Sequence, residues 1–287
     1  MTTARFLILT LSLLLGQAAD YGPPRVIANV QIRGLDESSG LAASRKYPGV
    51  FWTHNDGGGG AYLYAFDRAG KPRGRVRITG VKIKDWEDLA IGPDNYMYIG
   101  DIGDNDRRRK QIVVYRIPEP APDAAASEEA EAIAMQYPDG PHDAETLLVH
   151  PKTGDIYLVT KARGNETRTR VFKAPAKAKS PVMLKYVTDV EFPNESALTL
   201  LVGRVTGGSI SPDGARVVLC DYFRAYEAIV PENNFDALWK QKWRPLDIGK
   251  RAQGEGICYR HDGNAVLATS EGESFPLVEA ERTMRGR

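Results

Sequence analysis

Glu87-Asp88-Leu89-Ala90-Ile91-Gly92-Pro93-Asp94-Asn95-Tyr96-Met97-Tyr98-Ile99 reads as two short strands around a turn. An acidic residue opens an apolar run, Gly-Pro-Asp-Asn breaks it, and a second apolar run follows, the pattern of β-strands punctuated by turn residues. The unit recurs. Openings of the same kind stand at Ser39-Gly40-Leu41-Ala42-Ala43-Ser44, at Glu145-Thr146-Leu147-Leu148-Val149-His150-Pro151, at Thr206-Gly207-Gly208-Ser209-Ile210-Ser211-Pro212 and at Glu255-Gly256-Ile257-Cys258-Tyr259-Arg260. Second strands follow at Val50 to Thr53, Asp155 to Thr160, Arg216 to Leu219 and Ala265 to Thr269, and third strands at Tyr62 to Phe66, Gln111 to Ile117, Arg170 to Ala174, Ala225 to Val230 and Pro276 to Glu279. Fourth strands are readable at Arg75 to Thr79, Ala132 to Tyr137, Leu184 to Phe192 and Arg244 to Ile248.

Unit starts lie roughly 50 to 60 residues apart, somewhat above the blade lengths usual for propellers of four-stranded sheets. The fifth unit runs out of chain after its third strand. Arg25 to Ile32 can supply the missing outer strand, which would close the ring and remove its open edge. The expectation is therefore an all-β chain, a five-bladed β-propeller forming one domain over residues 20–287. Six blades stay open, because Asn194 to Val205 contains a further apolar run. Pro118 to Glu131, rich in Pro, Ala and Glu, resembles a linker, but repeats continue on both sides of it and a surface excursion within one blade is expected.

Composition narrows the function classes. A net charge of +1 and 26% charged residues give no reason to expect nucleic acid or an anionic membrane as partner. Arg5 followed by the apolar Phe6 to Leu15 and the small-residue segment Gly16-Gln17-Ala18-Ala19 reads as a cleavable signal peptide over residues 1–19. The expected product is a secreted or periplasmic protein, without a transmembrane anchor and monomeric. Two cysteines, Cys220 and Cys258, rule out a disulfide scaffold and a Cys-rich zinc site, and leave one pairing open.

In a propeller blade the start of the first strand and the end of the second emerge on the same face. Strand starts then bring Asp85, Glu87, Asp143, Glu145 and Glu255 to that face, and second-strand ends bring His54, Asn55, Asp56, Asp101, Asp104, Asn105, Asp221 and Glu271. Carboxylates crowded at one channel repel unless they are protonated, paired or bound to metal. Oxygen donors of this kind, Asp104 among the metal candidates, suit Ca²⁺. Asn55, Asp56, Asp85, Asp143, Asp221 and Glu271 complete a candidate ligand face. The alternative is that the acids pair with Lys161, Arg163, Arg204 and Arg224 and hold the blade turns. His54, beside an acidic turn, is a candidate general base, with Glu87 and Glu145 as carboxylate alternatives. Trp52 and Trp86 are expected in the packing between blades. Asn55-Asp56-Gly57-Gly58-Gly59-Gly60 lacks the Gly-Lys-Ser/Thr of a P-loop and reads as a hairpin turn.

Ser39-Gly40-Leu41, Trp52-Thr53-His54-Asn55-Asp56, Asp85-Trp86-Glu87-Asp88-Leu89, Gly100-Asp101-Ile102-Gly103-Asp104-Asn105, Asp143-Ala144-Glu145-Thr146, Ser211-Pro212-Asp213-Gly214 and Glu255-Gly256-Ile257 together resemble a group of secreted bacterial β-propeller proteins, mostly without assigned activity. More distantly the pattern is similar to calcium-dependent propeller phytases and gluconolactonase-like propellers, which hold divalent cations with acidic and amide side chains in the channel. That resemblance implies Glu87, Asp101, Asn105, Glu145 and Glu255 as cation ligands. Two functions follow as expectations: a binding protein whose acidic face holds Ca²⁺ and docks a small-molecule ligand or protein partner, or a metal-assisted hydrolase of a small ester, lactone or phosphoester.

Overall fold

The structure, a computed structural model, describes residues 21–162, 168–193, 204–232 and 234–283. The segment read above as a signal, most of the apolar run after Asn194, and Arg163 lie outside the described residues. The chain enters through β1 (Arg25–Val30). Blade 1 is β2 (Ser38–Ala43), β3 (Val50–Asn55), β4 (Tyr62–Asp67) and β5 (Pro72–Thr79). Blade 2 is β6 (Trp86–Ile91), β7 (Tyr96–Asp101), β8 (Ile112–Pro118) and β10 (Glu131–Gln136), with a short β9 (Ala126–Glu129) between β8 and β10 in the chain. Blade 3 is β11 (Ala144–Val149), β12 (Ile156–Thr160), β13 (Thr169–Ala174) and β15 (Lys185–Val190), with a short β14 (Val182–Met183) between β13 and β15 in the chain. Blade 4 is β16 (Gly207–Ile210), β17 (Arg216–Cys220), β18 (Ala225–Ile229) and β19 (Arg244–Leu246). Blade 5 is β20 (Ile257–Tyr259), β21 (Ala265–Ala268) and β22 (Phe275–Glu281), completed by β1.

The five-bladed reading is what the structure shows. Inner strands β2, β6, β11, β16 and β20 neighbour one another in a closed circle, so the ring has no gap for a sixth blade. β1 pairs antiparallel with β22 from Arg25 to Val30, and both ends of the propeller meet in one blade. Second strands such as β3, β12 and β17 are buried along their whole length because a neighbouring blade covers each face, whereas the outer β5 alternates exposed and buried positions.

Five apolar clusters fill the five blade interfaces. Between blades 1 and 2 lie Trp52, Leu63, Val76, Trp86, Leu89, Ile99 and Ile117, which confirms Trp52 and Trp86 as packing residues. The closing interface, between blades 5 and 1, is Val30, Leu35, Leu41, Phe51, Tyr64 and Phe66 against Cys258, Leu267, Phe275 and Leu277. Cys220 and Cys258 are both free and buried.

The Pro118 to Glu131 segment does not stay within one blade. It crosses back, and β9 pairs parallel with β5, the outer strand of blade 1. Trp52 Nε1 donates to Glu119 Oε1 at 2.8 Å, tying the segment to the core it crosses. The device recurs in the next two blades. β14, between the third and fourth strands of blade 3, pairs parallel with β10 of blade 2, and the 3-10 helix Phe235–Lys240 of blade 4 packs on β15 of blade 3. Each of these connections covers the outer edge of the blade before it, which would otherwise present unpaired backbone.

Candidate functional site

Glu87 and Glu145 reach the channel through the same irregularity. β6 and β7 pair Trp86 with Asp101 and Asp88 with Gly100, leaving Glu87 as the extra residue of a bulge. β11 and β12 pair Ala144 with Thr160 and Thr146 with Val159, leaving Glu145 in the equivalent place. A bulged residue leaves the ladder and its side chain is re-aimed. In blades 2 and 3 the residue two positions earlier is also an aspartate, Asp85 and Asp143. Blade 5 contributes Glu255 from just before β20, and Glu271 follows its second strand.

Together with Asp56, these acids form a continuous arc. Asp56, Asp85 and Glu87 have carboxylate oxygens within 4.8 Å of one another, as do Asp56, Glu255 and Glu271, and Glu87, Asp143 and Glu145. Blades 5, 1, 2 and 3 thus line the mouth with acid. On the remaining side Lys161 Nζ bonds Glu145 Oε1 at 2.7 Å and Tyr222 Oη of blade 4 at 2.9 Å. Next to Tyr222, Phe223 is half exposed.

The electrostatics follow from crowding in a dry site. Burial, then Glu271 and Glu145, push the Glu255 carboxyl up to about 9. Burial and then Asp85, Glu145 and Glu271 push Asp56 up to about 7. Glu87 is raised well above the usual range, first by burial and then by Glu145, Asp56, Asp85 and Asp143. Burial pulls the Lys161 ammonium down, but Glu145 and Tyr222 outweigh it and its pKa stands above that of an ordinary lysine. Two buried oxygens at the arc, Asp56 Oδ1 and Glu255 Oε2, have no hydrogen-bond partner among the described residues. Such oxygens cost free energy unless a proton or a cation is supplied.

The other candidates are placed differently. Asp101 accepts from Lys84 N at 2.7 Å and Arg109 Nη2 at 2.5 Å, and Asp104 accepts from Arg108 N and Arg109 N at 2.9 and 2.7 Å. Both carboxylates are engaged in the turn, and Asn105 is exposed beside them; none of the three joins the arc. Asp221 caps the turn after β17 through Phe223 N and Arg224 N. Asn55 holds the preceding loop, accepting from Asp36 N and Glu37 N and donating to Gly34 O. His54 is fully buried, its Nδ1 2.9 Å from Asn55 O and its ring edge-on to Trp86; burial lowers its pKa to about 4.

Two contributors were not readable as site residues. Gly103 lies against the arc so closely that a Cβ there would stand 2.0 Å from Glu87 Oε1 and 2.5 Å from Asp85 Oδ2. Asp88, buried at the axis, accepts from Leu89 N and, across the blade boundary, from Leu147 N at 2.9 Å. It fastens the inner strands of blades 2 and 3 beneath the arc.

No protein-family model matches the chain, and it has no match among curated proteins. No helix among the described residues is long and apolar enough to cross a membrane. Among solved structures, a gluconolactonase from Xanthomonas campestris is similar at 11% identity and a TM-score of 0.50, over 92% of this chain and 96% of that one. A soluble aldose sugar dehydrogenase from Escherichia coli is similar at 11% identity and a TM-score of 0.52, over 90% and 99%. At that identity the likeness is one of fold: this chain shares the propeller architecture of these two structures, and carries acidic groups that could hold a metal at its channel mouth.

Proposed function

We propose that this protein is a divalent-cation-binding propeller, with Ca²⁺ held at the acidic channel mouth and a small oxygen-rich ligand or a protein partner docking over it. The observation that carries the reading is the pair of buried, unpartnered oxygens, Asp56 Oδ1 and Glu255 Oε2, inside an arc of carboxylates. Carboxylate-only donors of this kind fit a hard cation and not a soft transition metal. Asp56, Glu255 and Glu271 are the residues that would hold it. Bound there, Ca²⁺ would supply an electrophilic centre for ligand oxygens. Lys161, Tyr222 and the half-exposed Phe223 offer the docking ligand a cationic and aromatic edge on the side away from the acids.

The test is thermal unfolding in EDTA and then with Ca²⁺ or Mg²⁺. A ligand that binds the folded state alone raises the midpoint by mass action. A rise specific to Ca²⁺, of several degrees at saturating metal, is the expected outcome; no shift with any divalent cation would overturn the reading.

A second reading, a metal-assisted hydrolase, is favoured by Glu87. A buried carboxyl with a raised pKa beside a cation site is the kind of group that serves a reacting water. The gluconolactonase likeness makes lactones the first substrates to try, followed by simple esters and phosphoesters. Turnover of any of these that needs Ca²⁺ would establish this reading; a folded, Ca²⁺-loaded protein inert toward all three classes would leave the binding function.

A further inference from the structure

We infer that the mouth holds two divalent cations side by side, one on Asp56, Glu255 and Glu271 and a second on Glu87, Asp143 and Glu145. The inference rests on the cation-binding reading above and adds a second, distinct site to it.

The two groups share no residue, and within each the carboxylate oxygens lie within 4.8 Å of one another. Each contains one acid that folding has buried and left unanswered. In the first it is Glu255, 3% exposed, whose Oε2 has no partner. In the second it is Glu87, 2% exposed, whose carboxylate makes no hydrogen bond or ion pair among the described residues although its backbone carbonyl accepts from Ser39 Oγ. A single ion seated on one group would leave the buried acid of the other unanswered. A buried ionised carboxylate without a partner is costly, and cations at both sites remove both costs.

The sites also adjoin. Asp56 of the first and Glu87 of the second have oxygens within 4.8 Å of each other, with Asp85 completing that contact. The geometry of the second site is held by the chain itself: Asp143 Oδ1 accepts from Asp104 N at 2.8 Å, Lys161 orients Glu145, and Gly103 leaves room for Glu87 where any side chain would collide. The turn of GDIGDND (100–106) therefore contributes to cation binding through a backbone N–H and a missing Cβ, not through its own carboxylates.

Stoichiometry tests the inference. Chelator-stripped protein is titrated with Ca²⁺ and followed by calorimetry and native mass spectrometry. Two ions per chain are expected. Glu255→Gln and Glu87→Gln, each close in shape to the native residue, are expected to retain one ion each, with the affinity at the altered site falling at least tenfold, and the double variant none. One ion in the unaltered protein would overturn the second site and leave the cation-binding reading intact. No ion at all would overturn both. Two ions that persist in Glu87→Gln would overturn the placement. The count in the unaltered protein needs no variant to fold, and the apo unfolding midpoint of each variant separates lost binding from lost structure.

Discussion

At the scale of single residues, the acids and the histidine of the channel face part company. His54 sits in a fully buried position with Nδ1 committed to Asn55 O, and its imidazole is neutral down to about 4. The unfolded chain takes up a proton near the ordinary histidine value of about 6.5. Between those two pH values the unfolded state binds more protons, so His54 makes stability fall as the pH drops from 6.5 toward 4, by up to about 3 kcal/mol. Histidine NMR should accordingly show one imidazole that does not titrate between pH 8 and 5; a His54 resonance with a midpoint near 6.5 would contradict this and return it to consideration as a base. Gly103 gives a second residue-scale expectation. Gly103→Ala places a methyl group 2.0 Å from Glu87 Oε1, so Glu87 must move. Ca²⁺ affinity of the site on Glu87, Asp143 and Glu145, measured by titration, should fall at least tenfold, while an unchanged affinity there would mean that Glu87 is not a ligand.

At the scale of elements, the repeated unit carries the legible part of the site. Asp-x-Glu stands at Asp85 to Glu87 and at Asp143 to Glu145, in the same place in two blades, and both glutamates occupy bulges that turn them into the channel. Strand order, the closing strand and the convergence of these acids could all be read from periodicity, because a propeller repeats one local pattern. What could not be read was which turn acids are already engaged. Asp101 and Asp104 have the same chemistry as Glu87 on paper, but the Arg109 guanidinium and the backbone N–H groups of Lys84, Asp85, Arg108 and Arg109 take up their oxygens, and partners set by a turn's exact geometry leave no periodic signal. The crossing of residues 118–131 to the preceding blade was hidden for a like reason, since a short parallel pairing depends on the neighbour's edge. Gly74 of β5 tests that crossing. A Cβ there would stand 1.8 Å from Pro122 O, so Gly74→Ala must lift the segment off blade 1. A loss of about 1–3 kcal/mol is expected from such overpacking, read by urea unfolding, together with new proteolytic cleavage between Glu119 and Ala125. Unchanged stability and protection would show that the segment does not need this contact.

At the scale of the whole molecule, five blades are held by five apolar interfaces arranged in a circle, and a circle has no weak end as long as it is closed. Closure here depends on β1. Its backbone pairs with β22 from Arg25 to Val30, and Val30 enters the cluster in which blade 5 packs on blade 1. Removing residues through Val30 would expose the edge of β22 and take a fully buried side chain from that cluster. An open strand edge also invites pairing with another copy. The shortened chain should therefore unfold at a lower temperature, with a broader transition, and should associate more than the intact chain in light scattering. A synthetic peptide covering Tyr21 to Ile32 should bind the exposed edge by strand addition and raise the midpoint again. A shortened chain that remains monomeric with an unchanged midpoint would show that the ring is held by its interfaces alone, and that the fourth strand of blade 5 contributes nothing to closure. Because the arc of acids is assembled from blade 5 as well as blades 1 to 3, the same truncation should weaken Ca²⁺ binding at Asp56, Glu255 and Glu271 more than at Glu87, Asp143 and Glu145.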